Sequence, residues 1–440
     1  MAAHRGPGRE PIMSMTIIWS RFVCSMLLCS PLHAAPATTP PIPSVPIGEV
    51  AIRIPAPPGL ANPSRFGIAV ALEEDRLFIG CDGRRDGIPD QGRVLVFEPD
   101  ELGIWIWTDT LVPPDSEPGD EFGSVLALDG DHLVIGAPGT RGHRGAAWCV
   151  ELDAPGDLLQ VTQRIPIADA SPGDRFGESV AIHRGIVAVG APRADVDGFL
   201  DRGRVVTASM TPDGVRIRGE PVPGRPKTGL RFGWSLAIGS MLDIGAPGAD
   251  VSGPETNERV DRAGIVIRYE TEAPHPRIES HQRPEAKRLE RFGTCLTTVN
   301  EDALLVGSPR AFLNGVRCGV ISLVSSGHPS EIGAPLLDES ALGEPLVGNS
   351  SIFAAGMPGR RDDQDRPRPG IRLGGILSGN IVPRLDLLLE DRERTLISLS
   401  LSPSGEMLAI GSPDPAFDDG PEVPGEVHLV RIHPMLRPTR

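Results

Sequence analysis

At 440 residues the chain is long enough for two or three ordinary domains, and 43 basic against 58 acidic side chains leave a formal net charge of −15. That balance excludes a non-specific nucleic-acid binder, which needs a basic face to neutralise phosphates. Aromatic residues make up only 4 % while glycine (52) and proline (46) are frequent, so short strands and turns are expected in place of long helices.

In chain order, the N-terminus carries Arg5, Arg9 and Arg21, an apolar run over 22–29 and the stretch PLHAA at 31–35. Residues 1–34 are expected to be a secretory signal cleaved after Ala34, because the apolar run is shorter than the roughly 20 residues a spanning helix needs. A disordered tail is the alternative, as is a lipid anchor at Cys29, against which the bulky Leu28 stands. The expected location is secreted, periplasmic or cell-surface, with no transmembrane helix. Residues 35–49 are proline-rich and lack apolar periodicity, so they read as an extended linker.

From residue 50 to residue 432 the chain repeats itself. Near copies of FGSVLALDGDHLVIGAPG (122–139) begin at Phe66, Phe176, Phe232 and Phe292, with eroded copies at Leu342 and Ile397. The first Gly of each GAP-like triplet falls at Gly80, Gly136, Gly190, Gly245, Gly307, Gly356 and Gly411, spaced 49 to 62 residues apart. Such a period marks units that cannot bury their own faces and must stack on their neighbours.

Each unit reads as four strands. In the second copy these are 124–128, 132–135, 146–152 and 158–165, joined by the turns at Asp129-Gly130-Asp131 and Pro155-Gly156-Asp157. In the first, the outermost strand runs 104–112. The innermost strand is expected at the axis of a radial array, where crowding favours the small Ala71, Ala127, Ala181, Ala237 and Thr297. The last copy has no fourth strand before the tail at 433–440, whereas residues 50–54 form a strand that resembles the fourth strand of the second copy. The expected fold is therefore all-β: a seven-bladed β-propeller over 50–432, closed by its N-terminal strand, with no open sheet edge left at the seam.

FG-x-S-x-A followed by GAP, then a strand such as GRVLVF at 92–97, resembles the FG-GAP repeat family, best known from the integrin α-subunit propeller and common in exported bacterial proteins. The resemblance implies a propeller used for adhesion or protein contact. Integrin-type repeats often carry a calcium loop between the first two strands. Here only 13 to 15 residues separate the Phe position from the GAP Gly, too few for a loop of 6 to 8 oxygen ligands.

Removing the signal leaves Cys81, Cys149, Cys295 and Cys318, and four cysteines in an exported chain invite disulfides. The repeat register puts Cys81 just after a second strand, Cys149 and Cys318 on third strands, and Cys295 on a first. The one same-repeat pair, Cys295 and Cys318, then lies two strand spacings apart, about 9.5 Å, beyond disulfide reach. All four are expected as buried free thiols.

The longest loops, 82–91, 193–203, 248–263, 359–369 and 414–424, join second to third strands and are the most polar. Asp195, Asp197 and Asp201 are the candidate ligands for calcium, with a solvated acidic loop as the other reading. Asp362, Asp363 and Asp365 lie among Arg360, Arg361, Arg366 and Arg368 as a self-neutralising surface loop. Trp105 and Trp107 alternate with Ile104 and Ile106 on an outermost strand, either as an exposed contact or as cover for the next blade. The sequence holds no H-E-x-x-H, G-x-S-x-G or P-loop pattern. The expected function is an exported, non-enzymatic interaction or adhesion module, a monomeric propeller without a cofactor that binds a protein or glycan through its polar loop face. The alternative is an exported hydrolase or lyase with its site in the propeller channel.

Overall fold

Seven small sheets build the protein, and in blades one to six four antiparallel strands are laid down in chain order from inner to outer. The computed structural model describes residues 42–57, 65–83, 91–152, 159, 161, 163–211, 213–252, 258–270, 278–313, 315–325, 330–333, 341–360, 368–377, 379–389, 398–413 and 425–432. The expected signal sequence, most of the linker, the tail and residues 361–367 and 414–424 lie outside them.

Blade one consists of Ala69–Leu72, Leu77–Cys81, Arg93–Pro99 and Trp105–Leu111; blade two of Val125–Asp129, His132–Ala137, Ala146–Glu151 and Gln163–Arg164. Blade three has Ser179–His183, Ile186–Ala191, Arg204–Thr211 and Gly214–Gly219, and blade four Leu236–Ile238, Met241–Ala246, Ile265–Glu270 and Ile278–His281. Blade five has Cys295–Thr298, Leu304–Ser308, Val320–Val324 and Ser330–Gly333; blade six Leu346–Gly348, Ile352–Met357, Gly370–Leu377 and Asn380–Leu388. In blade seven the strands Ser398–Leu401, Met407–Ser412 and Glu426–Arg431 are completed by Ala51–Pro55, which runs antiparallel to the third with Ala51 opposite Val430 and Pro55 opposite Glu426. The N-terminal strand thus closes the ring, as its match to the second copy requires. Each inner strand touches the next all the way round, and that of blade seven touches that of blade one.

The core follows from this arrangement. A small sheet has two apolar faces and no helix to cover them, so each face must be buried against a neighbouring blade. Seven apolar clusters result, one at each seam; Val94, Val96 and Leu111 of blade one meet Phe122, Ile135 and Trp148 of blade two, and Ile54, Ala409 and Leu429 of blade seven meet Phe66, Leu77 and Ile79 of blade one. The Phe that opens each repeat is the seam anchor: Phe66, Phe122, Phe176, Phe232 and Phe292 are buried, as is Leu342. Phe122 meets Trp148 edge-to-face at 5.5 Å.

The GAP glycine sets how closely the blades approach. A Cβ on Gly80 would fall on the carbonyl oxygen of Gly123 in the next blade, and one on Gly136 on that of Gly177. Among the described residues backbone therefore packs on backbone at six of the seven seams, which only glycine permits.

Three expectations are corrected. Residues 35–49 are not linker throughout: Ser44–Pro46 adds a fifth, parallel strand to blade six beside Asn380–Leu388, and Ile47 is buried in the seam between blades six and seven. The seventh repeat is two residues out of the expected register. Ser398 lies opposite Gly411, the place Ala69 takes opposite Gly80, so the position of the repeat Phe falls at 395, outside the described residues, and the hairpin turn is longer. Cys318 precedes its third strand, Val320–Val324, and does not lie on it.

Candidate functional site

The loops joining second to third strands and those joining one blade to the next share one end of the ring. Their geometry starts from the residue before the repeat Phe. Arg65, Glu121, Arg175, Arg231, Arg291 and Ala341 all have φ between 51° and 60°, in the left-handed region. In most blades the following amide donates into the loop of the preceding blade: Phe232 to the Arg202 carbonyl at 2.9 Å, Phe292 to that of Ala263 at 2.7 Å. Because this turn recurs, it is a device of the ring, and its strain marks no particular site. What differs between blades is the partner of the side chain it presents.

In blade one Arg65 donates to Asp82 at 2.8 Å. Arg175 of blade three donates to Glu178 at 2.9 Å and to Glu121 at 2.7 Å. In blade four the position of Asp82 is Pro247 and that of Glu178 is Trp234; in blade five they are Pro309 and Thr294. Both built-in carboxylates are gone. Among the described residues neither Arg231 nor Arg291 donates a side-chain hydrogen bond or forms an ion pair, and Arg231 instead stacks over the Trp234 ring, 5.1 Å from its centroid.

These side chains line a cleft of about 240 Å³, with Arg262 and Asp201 on its walls and Thr228, Thr294 and Glu344 completing it. Its walls are held by main chain: Gly229 donates to the Leu200 carbonyl at 2.8 Å, Arg231 to that of Asp201 at 3.0 Å, and Gly248 to that of Leu230 at 3.2 Å. Burial lowers the pKa of Arg291, and Arg310, Arg231 and Arg262 lower it further, with Glu344 opposing. Burial also raises the pKa of Glu344, against the pull of Arg291 and Arg310. The result is a concentration of positive charge on an acidic chain, with two carboxylates set into it. A site of this kind recognises anions bidentately and accepts hydrogen bonds at its carboxylates.

The three aspartates singled out from sequence do not converge. Asp195 accepts the backbone N–H of Asp201 at 2.8 Å, Asp197 is paired with Arg202, and Asp201 lines the cleft. No group of three or more His, Cys, Asp or Glu side chains able to hold a metal occurs among the described residues. Asp362, Asp363 and Asp365 lie outside those residues. Trp105 packs into the seam between blades seven and one, while Ile104, Ile106 and Trp107 are exposed, so the two tryptophans part, one covering a seam and one facing out. No helix among the described residues is long and apolar enough to cross a membrane.

Sequence reading missed Arg231, Arg291, Trp234, Arg262 and Glu344. The signal was present in the repeat itself, at the residue before each Phe and the residue after each FG.

The FG-GAP repeat model matches residues 105–150 and 161–205, two windows that each run from the outer strand of one blade into the third strand of the next. No curated protein matches the sequence. Among solved structures, a chain of one titled "Crystal Structure of Mitotic Checkpoint Complex" superposes with a TM-score of 0.51 at 11 % identity, covering 91 % of this chain and 100 % of that one. At that identity the likeness is one of fold alone.

Proposed function

We propose that this chain, a seven-bladed propeller carrying FG-GAP repeats, is an exported, non-enzymatic interaction module that holds an extracellular protein or glycan against its loop face. The observation that carries this reading is the cleft lined by loops of blades three to six, where two arginines lack the carboxylate partners of their repeat position. A site walled by main-chain hydrogen bonds on a closed ring is already ordered before a partner arrives, so binding costs little conformational entropy. Export is supported by the N-terminal signal-like stretch alone.

The chain has only two lysines, Lys227 and Lys287, and both stand in the blade-connecting loops that border the cleft. An amine-reactive cross-linker added to the mature chain with a surface and extracellular extract therefore samples the loop face selectively. Partner cross-links through Lys287 or Lys227 are expected. A captured partner that cross-links only elsewhere, or no partner at all, overturns the protein-partner reading; a glycan, which carries no amine, is tested by direct titration.

The hydrolase or lyase alternative would need a general acid in the cleft, and Glu344 is a carboxyl on its wall placed to serve. Turnover of a bound glycan that Glu344→Gln abolishes, with binding retained, would decide for it.

A further inference from the structure

We infer that the cleft lined by loops of blades three to six is a subsite for an acidic sugar, a pyranose ring bearing one carboxylate and several hydroxyls. This deepens the proposed binding role and rests on it. Three properties of the cleft select that chemistry over other anions.

The first is the unpaired cation set. Arg231, Arg262 and Arg291 present planar guanidinium groups to one small volume, and among the described residues no side-chain acceptor occupies them. The contrast with Arg65 and Arg175, which sit at the same repeat position and are paired, shows that the vacancy is particular to these blades and does not come from the repeat. A guanidinium fork fits a carboxylate bidentately.

The second is the presence of acceptors within the same walls. Asp201 and Glu344 line the cleft alongside the arginines. Towards a ligand whose only polar groups are carboxylates, both are repulsive. Towards a sugar they are hydroxyl acceptors, and the exposed Thr228 hydroxyl both gives and takes.

The third is size and shape. At about 240 Å³ the cleft lies just below the roughly 300–1,000 Å³ range of drug-sized ligand sites, which suits one ring rather than a folded segment. Trp234 supplies an apolar surface beside the cations, with the Arg231 guanidinium 5.1 Å from its ring centroid.

The test is calorimetric titration of the mature chain at low salt with trigalacturonate, with the neutral trisaccharide maltotriose and with a triglutamate peptide. Trigalacturonate is expected to bind at one site, and the other two at least tenfold more weakly. Arg291→Gln is expected to lower trigalacturonate affinity tenfold or more, whereas Arg216→Gln, on the exposed outer strand of blade three, leaves it unchanged. Should Arg291→Gln not melt cooperatively, Arg262→Gln at the exposed rim carries the same expectation. Triglutamate binding as tightly as trigalacturonate would make the cleft an acidic-peptide site and overturn the inference. So would equal binding of maltotriose, binding unchanged in both arginine variants, or no binding of trigalacturonate. If Arg291→Gln and Arg262→Gln still capture a partner cross-linked at Lys287, the interaction role stands and the acidic-sugar subsite falls. If trigalacturonate binds but no partner is captured, the subsite stands and the protein-partner half of the wider role falls.

Discussion

Gly411 of the last blade lies against Gly67 of the first, so closely that a Cβ on Gly411 would fall on the Gly67 carbonyl oxygen. The same meeting occurs between Gly80 and Gly123 and between Gly136 and Gly177, so the seam that joins the two chain ends is built like those within the chain. Gly411→Ala is therefore expected to force blades seven and one apart and to cost about 2–4 kcal/mol, in the range of severe overpacking. Gly219→Ala, with open space around it, is the control and is expected to stay within about 0.5 kcal/mol. Urea unfolding of both variants measures this, and equal stabilities would contradict a tight closing seam.

Deleting residues 48–56 removes the strand Ala51–Pro55 and with it Ile54, buried in the seam between blades seven and one. It also strips Glu426 of its Arg53 partner and leaves the edge of Glu426–Arg431 unpaired. A sharp drop in melting temperature and a tendency to associate through the opened edge are expected. An unchanged melting temperature would mean that the ring does not depend on this strand.

The four cysteines of the described chain form no disulfide with one another; Cys81, Cys149 and Cys318 are buried and Cys295 is half-buried. Burial pushes the Cys149 thiol up to about 12 and raises that of Cys295 well above its ordinary value, with Glu344 adding to the latter. In the chain beginning at residue 35, maleimide is expected to leave the native protein unlabelled at pH 8 and to add four labels after unfolding without reductant. Two labels or fewer on unfolding would reveal a disulfide.

Asp243 is fully buried beside Arg268, whose guanidinium donates to it at 2.7 and 3.3 Å. Burial raises its pKa from the ordinary 3.8 to about 6, with Arg268 opposing. The folded chain then holds this proton more tightly than the unfolded one. Its stabilising contribution is full below the unfolded pKa and is lost as pH rises through the folded one, by about 1.4 kcal/mol per unit of difference. Asp243→Asn cannot ionise, so the stability difference between variant and wild type is expected to shift in favour of the variant between pH 4 and pH 7. A difference independent of pH in urea titrations would refute the assignment.

Calcium is expected to leave the melting curve where chelator leaves it. In the loop 193–203 the Arg202 side chain pairs with Asp197 and a backbone amide occupies Asp195. A cation bound only by the native state would stabilise by about 2.7 kcal/mol at a hundred times its dissociation constant. A rise of that size, lost on Asp195→Ala with Asp197→Ala, would restore the metal site.

The fold was legible because its determinants are local and repeated. Phe122 and Gly136 recur with near-constant spacing, and each recurrence has one packing solution. The strand at 50–54 was placed by its likeness to the second copy, so even a contact across nearly the whole chain could be read. The register of the seventh repeat could not, because its turn is two residues longer and its Phe position holds no Phe. Ser44–Pro46 gave no signal either: a proline-rich edge strand, parallel to Asn380–Leu388, has no alternation to detect. The cleft was hidden for a different reason. Arg231 and Arg291 look like Arg175 in the sequence, and only the loss of the partner at Trp234 and Thr294 separates them. That loss appears when the repeats are compared position by position for what is missing.

The pairing of Ala51 with Val430 also dictates the order of events as the chain folds. Blades one to five hold four strands drawn from a continuous stretch and can assemble as each stretch becomes available, and blade six lacks only its added fifth strand, Ser44–Pro46. Blade seven must wait for its partner strand from the far end, across a separation of almost 380 residues, whose closure entropy grows only as the logarithm of length but delays the contact. The segment that leaves the ribosome among the first is thus among the last to be fixed. Until it docks, the seam cluster around Ile54 and Phe66 lacks one wall, and the incomplete ring is the species exposed to proteases and to association with its own kind.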